Sequence, residues 1–162
     1  MRVILAGGGS GGHFYPLLAV ARALKELAEK LKIVELELIF ASDDPYDLDF
    51  LREEEIRFLK VPAGKIRRYF SIWNFIDPFK TLWGVIKATW VVYLNLPDVV
   101  FAKGGYASFP VLYAARLLGV PVIIHETDTI PGKVTLWAAR FAQRIAISFP
   151  ESIKFFSADR TA

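Results

Sequence analysis

The residues best suited to chemistry in this chain are its two histidines and the glycines, hydroxyls and carboxylates around them, since it has no cysteine to act as nucleophile, thiolate ligand or disulfide. His13 closes the run Gly7-Gly8-Gly9-Ser10-Gly11-Gly12-His13. Glycines let another molecule approach the backbone, and the unpaired N–H groups where such a run enters a helix attract negative charge. The run is a candidate site for a phosphate or a polar sugar group. A histidine at a helix start feels the positive end of the dipole and is biased toward neutral imidazole, which can take a proton from an attacking hydroxyl. The plainer alternative is a ring that only hydrogen-bonds the loop. Gly7, Gly9 and Gly12 also satisfy the dinucleotide pattern G-x-G-x-x-G, so a nicotinamide-binding oxidoreductase domain is weighed. That pattern wants an acidic residue about 20 residues on, at the end of the second strand. Here Asp43 and Asp44 come roughly thirty residues after the loop. No G-K-[ST] follows the glycines, which argues against a triphosphate P-loop.

A second glycine turn, Lys103-Gly104-Gly105-Tyr106-Ala107-Ser108, leads into Phe109-Pro110. It repeats the strand, glycine turn and helix start of the first, and suggests a second anionic or polar ligand group. Its structural alternative is a tight turn with Ser108 as helix N-cap and Tyr106 as packing. A third group, His125-Glu126-Thr127-Asp128, holds a histidine and two carboxylates. Neighbours on an extended segment point in opposite directions and converge poorly on one ion, so a metal site is discounted.

These residues need a frame. Short β-branched runs alternate with longer amphipathic stretches, which predicts an α/β fold, a Rossmann-like parallel sheet with helices on both faces. Strands are expected at Arg2–Ala6, Glu35–Ala41, Ile56–Val61, Asp98–Ala102, Pro121–His125 and Arg144–Ser148. Helices are expected at Pro16–Lys30, Pro45–Glu54, Pro78–Asn95, Phe109–Leu118 and Gly132–Phe141. Right-handed crossovers then bring every strand-to-helix loop to the carboxyl edge of the sheet, where open α/β folds bind ligands. A length of 162 residues suits one domain, and 54% apolar residues with 23% charged exclude a disordered chain. The apolar share exceeds that of ordinary soluble domains and suggests a face for a partner or membrane. Val3 to Ala6 is too short an apolar run for a secretory signal, so the protein is read as not exported.

The net charge of +3 is modest. The basic residues gather at Lys60, Lys65, Arg67, Arg68, Lys80 and Lys87, which favours anionic lipid or phosphate as partner. Nucleic acid is not expected, because the nearby aromatics fall at helical core spacing instead of along a stacking platform. Phe79, Leu82, Trp83, Ile86, Trp90 and Tyr93 recur every three or four residues, the pattern of a helix packed on the sheet. Lys80 and Lys87 interrupt the run and leave no transmembrane length. Before it, Arg67 and Arg68 precede Tyr69, Phe70, Trp73 and Phe75 in an expected loop or short helix. An apolar wedge beside a cationic rim suits binding to a membrane surface.

Taken together, the loops resemble those of the MurG family. The likeness rests on Gly7 to His13, on Gly104-Gly105-Tyr106-Ala107-Ser108, and on a stretch from Leu117 through Gly119-Val120-Pro121, His125-Glu126, Pro131-Gly132 and Ala139-Arg140-Phe141-Ala142 to Ser148-Phe149-Pro150. The resemblance implies the N-terminal half of a two-domain GT-B glycosyltransferase, one acceptor- and membrane-binding domain over residues 1–162 without its C-terminal donor domain. It implies inverting transfer of N-acetylglucosamine from UDP-N-acetylglucosamine (UDP-GlcNAc) to lipid I, the undecaprenyl-diphospho-muramyl-pentapeptide, on the cytoplasmic face of the cell membrane. No metal or other cofactor is implied. By position, His13 is the candidate base; Ser10, Gly11, Gly12 and Asp128 would face the donor; Gly104, Gly105 and Tyr106 would cradle the acceptor diphosphate. The membrane patch would include Arg67, Arg68, Phe70, Trp73 and Phe75. Two departures stand out: Ser10 replaces the usual threonine and keeps its hydroxyl, whereas Thr127-Asp128 replaces Gln-Asn and brings a carboxylate where a neutral amide would face the donor. The other expectations are a membrane-recruiting subunit of a split transferase, in which a partner chain supplies the donor half, and the oxidoreductase.

Overall fold

A computed structural model of the chain describes every residue except Gly9 and residues 66–72, and gives the backbone alone for Trp73, Asn74 and Phe75. Six strands form one parallel sheet: β1 (Arg2–Ala6), β2 (Glu37–Ser42), β3 (Arg57–Lys60), β4 (Val99–Ala102), β5 (Val122–Glu126) and β6 (Arg144–Ile147). Their order is β3-β2-β1-β4-β5-β6. The helices are α1 (Gly11–Lys30), α2 (Leu48–Glu53), α3 (Trp73–Asn95), α4 (Phe109–Leu117) and α5 (Lys133–Ala138), with short 3₁₀ turns at Tyr106–Ser108, Pro150–Phe155 and Ala158–Arg160.

Both faces of the sheet are covered because successive strand side chains point to opposite sides. Val3 and Leu5 of β1 join Phe14, Leu17, Leu18 and Ala21 of α1 and Leu51 of α2 in one buried cluster. Ile4 and Ala6 join Ala88 and Val92 of α3 and Val111 and Leu112 of α4 in the other. The α/β expectation is borne out, and each expected strand is present, with one or both ends moved by a residue or two at all but the first.

Three local expectations are corrected. Helix α1 does not open at Pro16; it starts at Gly11, with Ser10 extended as N-cap and Pro16 inside the helix. Proline marks helix starts because its missing N–H costs nothing there, but Pro16 sits further in and leaves the Gly12 carbonyl without its helical donor. His13 therefore lies in the first helical turn. The second correction concerns Ser108, which is not a side-chain N-cap: its backbone is already helical and its hydroxyl donates to the Gly105 carbonyl at 2.9 Å.

Helix α3 brings the third. The large residues expected to pack on the sheet face outward, with Phe79 74%, Trp83 60% and Trp90 63% exposed and Leu82, Ile86 and Tyr93 also in the open. Its buried positions are Asp77, Gly84, Ala88 and Val92. A Cβ on Gly84 would lie 1.8 Å from the Pro62 carbonyl oxygen, so the backbone before the helix runs directly across this small-residue face. That approach, together with contact against α4, leaves no room for a tryptophan inside. Of the expected membrane segment, Arg67, Arg68 and Phe70 lie outside the described residues, while Trp73 and Phe75 fall in the first turns of α3.

Candidate functional site

Strand order reverses direction between β1 and β4, which run side by side with Ala6 opposite Ala102. Such a switch point leaves a crevice at the carboxyl ends, because the loops leaving the two strands turn away to opposite faces. The two glycine turns are these loops. They are joined at their roots by the Lys103 N–H donating to the Ala6 carbonyl at 3.1 Å.

From the first turn, the Ser10 carbonyl accepts the His13 and Phe14 N–H groups at 3.0 and 3.1 Å. The Ser10 side chain makes no capping bond, and the residue is exposed. Gly12 is exposed, and Gly11 lies against Tyr46, whose hydroxyl oxygen is 2.8 Å from where a Gly11 Cβ would begin. The His13 ring reaches across to the second turn. At Gly105, with φ +78°, an added Cβ would stand 3.1 Å from His13 Cε1 and 3.4 Å from Nε2. Glycine is required there twice over, by the left-handed backbone and by the imidazole. Gly104 turns toward α5, where Thr135 closes over it. Tyr106 is half-buried under the Lys65 ammonium, 5.3 Å from its ring centre.

The electrostatics favour a neutral His13. Burial pushes its pKa down and the Lys103 charge pushes it further, while Asp128 and Glu126 pull the other way. Nδ1 of His13 is buried and has no hydrogen-bond partner among the described residues. Lys103 is itself buried at the end of β4, its ammonium donating to Thr127 Oγ1 at 2.6 Å. Burial lowers its pKa and the carboxylates of Asp128 and Glu126 oppose the shift. This cation between the turns was missed in the sequence. The available signal was a lysine ending an apolar strand immediately before two glycines.

The third group separates into different roles. The Glu126 carboxylate is buried and accepts the N–H groups of Thr127, Asp128 and Gly132 at 2.9, 3.0 and 3.2 Å, which folds the loop after β5 around it. His125 leans on Phe101 and shares a 3.0 Å hydrogen bond with Ser148, at the β5–β6 side of the sheet. Asp128 stays exposed, close enough to act on both His13 and Lys103. No group of metal-ligating side chains converges among the described residues. His13, Gly105, Lys103 and Asp128 are thus brought together, whereas Gly104 and Tyr106 line the far side of the second turn. Asp43 does directly follow β2, where a dinucleotide fold carries its acidic residue, but its carboxylate is held by Lys80 at 2.8 Å.

Comparisons with known proteins agree with this fold. Over 158 residues the chain is 37% identical to the UDP-N-acetylglucosamine--N-acetylmuramyl-(pentapeptide) pyrophosphoryl-undecaprenol N-acetylglucosamine transferase of Clostridium kluyveri, covering 98% of this chain and 43% of the relative. The enzyme of the same name from Clostridium novyi is 39% identical over 154 residues, 95% of this chain and 42% of the relative. The chain thus spans less than half the length of these relatives. The crystal structure of Acinetobacter baumannii MurG superimposes with a TM-score of 0.80 at 27% identity, over 99% of this chain and 44% of that one. The UDP-GlcNAc 2-epimerase of Methanocaldococcus jannaschii, at a TM-score of 0.68 and 15% identity over 99% of this chain and 44% of its own, shares the fold. Residues 3–147 match the glycosyltransferase family 28 N-terminal domain, and the chain belongs to that family.

Proposed function

We propose that this chain is the acceptor-side domain of an inverting transferase that moves N-acetylglucosamine from UDP-GlcNAc to a lipid-linked muramyl-pentapeptide diphosphate in peptidoglycan synthesis. The observation that carries the reading is the closeness of His13 to Gly105, which aims the base and the second glycine turn at one space. In that space the acceptor hydroxyl attacks the anomeric carbon of the donor sugar. The bond from that carbon to the UDP oxygen breaks as the new glycosidic bond forms, and the hydroxyl proton passes to the imidazole. Burial and Lys103 keep the imidazole neutral and so able to accept it. The acceptor diphosphate belongs at Gly104, Gly105 and Tyr106, with Lys103 supplying positive charge beneath the turn. Ser10, Gly11 and Gly12 address the donor from the start of α1. Asp128, exposed beside them, fits a sugar hydroxyl better than a second phosphate. The UDP itself is held by a donor half that is a further part of the polypeptide or a partner subunit.

The membrane reading widens from the segment before α3 to the helix itself. No described helix is long and apolar enough to cross a membrane. The exposed Phe79, Trp83, Ile86 and Trp90 fit the interfacial region of a bilayer, where aromatic rings insert shallowly, and Trp83, Ile86, Trp90 and Leu117 line a groove of about 670 Å³. Docking this face on an anionic cytoplasmic leaflet would present the site to a lipid-anchored acceptor. The test joins the chain to the donor half of a relative and supplies lipid-linked acceptor with several uridine sugars. The reading expects transfer with UDP-GlcNAc above the others; preference for another sugar overturns the donor, and no transfer from any overturns the function.

A further inference from the structure

A pocket of about 440 Å³ opens on the carboxyl edge of the sheet, beside the two glycine turns, and of its lining residues Tyr106 alone has a role in the proposed function. Its walls include Asp43 and Asp44 after β2, Tyr46, Lys65 after β3, Lys80 and the buried Asp77 of α3, and Tyr106. Two of these tie it to the site. Tyr106 follows Gly105 in the second turn, and the Tyr46 hydroxyl lies 2.8 Å from where a Cβ on Gly11 of the first would stand. A ligand held at the turns therefore reaches this pocket without leaving the protein surface.

The charges in the pocket select among ligands. Lys80 and Asp43 are paired across it at 2.8 Å, and Asp44 accepts the Tyr46 N–H at 2.7 Å while remaining exposed. Lys65 is exposed too, its ammonium over the Tyr106 ring. A further phosphate would meet the carboxylates of Asp43, Asp44 and Asp77, and a simple cation would meet the two ammonium groups. A neutral sugar would cover this set of charges and satisfy neither sign, at a cost in desolvation. A short peptide carrying both an ammonium and a carboxylate complements both signs at once.

We propose that the pocket is a subsite for the peptide of the acceptor, with Lys65 and Lys80 facing a peptide carboxylate and Asp43 and Asp44 facing a peptide ammonium. This rests on the acceptor reading above, since it is the muramyl-peptide diphosphate that would bring a peptide to this edge. The subsite would let the domain weigh the peptide as well as the diphosphate before transfer.

The test titrates this chain, by calorimetry at low salt, with three soluble short-prenyl muramyl diphosphates: one with a pentapeptide bearing a free side-chain amine, one with that amine acetylated, and one without peptide. The peptide-bearing acceptor should bind more tightly than the peptide-free one by several-fold, up to about tenfold, with the acetylated form between them. D44N and K80Q should each narrow the gap without altering affinity for the peptide-free acceptor, and unchanged thermal melts would show that both variants are folded. Equal affinity for the peptide-bearing and peptide-free acceptors would overturn the subsite and leave the proposed function standing. A gap that survives in both variants would remove it from this pocket. Binding of none of the three would overturn the acceptor reading itself, and the subsite with it.

Discussion

The two long helices of this domain use their apolar residues in opposite ways. Helix α1, 20 residues long, buries Phe14, Leu17, Leu18 and Ala21 under the sheet and holds its N-terminus rigidly in the crevice. Helix α3, 23 residues long, buries Gly84, Ala88 and Val92 and turns Phe79, Trp83 and Trp90 outward. One helix buries its hydrophobic surface and positions His13; the other leaves it exposed, as the proposed docking face requires. A stripe at helical spacing reveals an apolar face but not which way it points. Direction is set by what the opposite face must accommodate, here the Pro62 carbonyl against Gly84.

The contrast can be broken at either helix. At the chemical end of α1, His13→Ala in the enzyme completed by its donor half should lower turnover by roughly 10²–10⁴; near-normal turnover would take His13 out of the mechanism. In the body of the same helix, Leu17→Ala should cost about 2–5 kcal/mol of unfolding free energy in denaturant titration, as an enclosed leucine does. On α3, Trp83→Ala should stay within about 0.5 kcal/mol of the parent, yet weaken binding to anionic vesicles, which salt should also weaken. If Trp83→Ala destabilised the fold as much as Leu17→Ala, the outward reading of α3 would fail.

A smaller effect sharpens the α1 end. Gly105→Ala should cost about 1–2 kcal/mol from the left-handed backbone alone, and nuclear magnetic resonance should show the His13 ring signals displaced. Smaller again is the effect of Lys103. Its charge lowers the pKa of both His13 and His125, in each case after burial, so Lys103→Met should raise both in a titration of the ring signals. Because the folded histidines protonate below their ordinary value, the unfolded chain binds more protons between the two values. Stability is therefore lost as pH falls below about 6.5, and Lys103→Met should soften that loss.

Much of the frame was legible in the sequence, for identifiable reasons. The β-branched runs at Val3, Leu38 and Val99 are short and bounded by turn residues, so the strands stood out, and the glycine turns stood out because few other settings tolerate such runs. The start of α1 was misplaced because proline is a common first residue and here is an interior one. The roles of Lys103 and Tyr46 are not legible in the sequence because they depend on neighbours far along the chain: Ala6 and Thr127 for the first, Gly11 for the second. Glu126 was grouped with possible ligands by residue type, whereas its three backbone donors make it the organiser of its own loop.

The proposed reading places His13 between the donor at the first glycine turn and the acceptor diphosphate at the second. It is tested most directly by recording backbone amide spectra of this chain while adding a short-prenyl muramyl-pentapeptide diphosphate, then UDP-GlcNAc and NADH separately. The account predicts saturable shifts at His13, Lys103 and Gly105 with the acceptor, and only weak, unsaturated shifts with the two nucleotides. Tight NADH binding at Gly8 and Gly12, or no response of Gly105 to the acceptor, would contradict it.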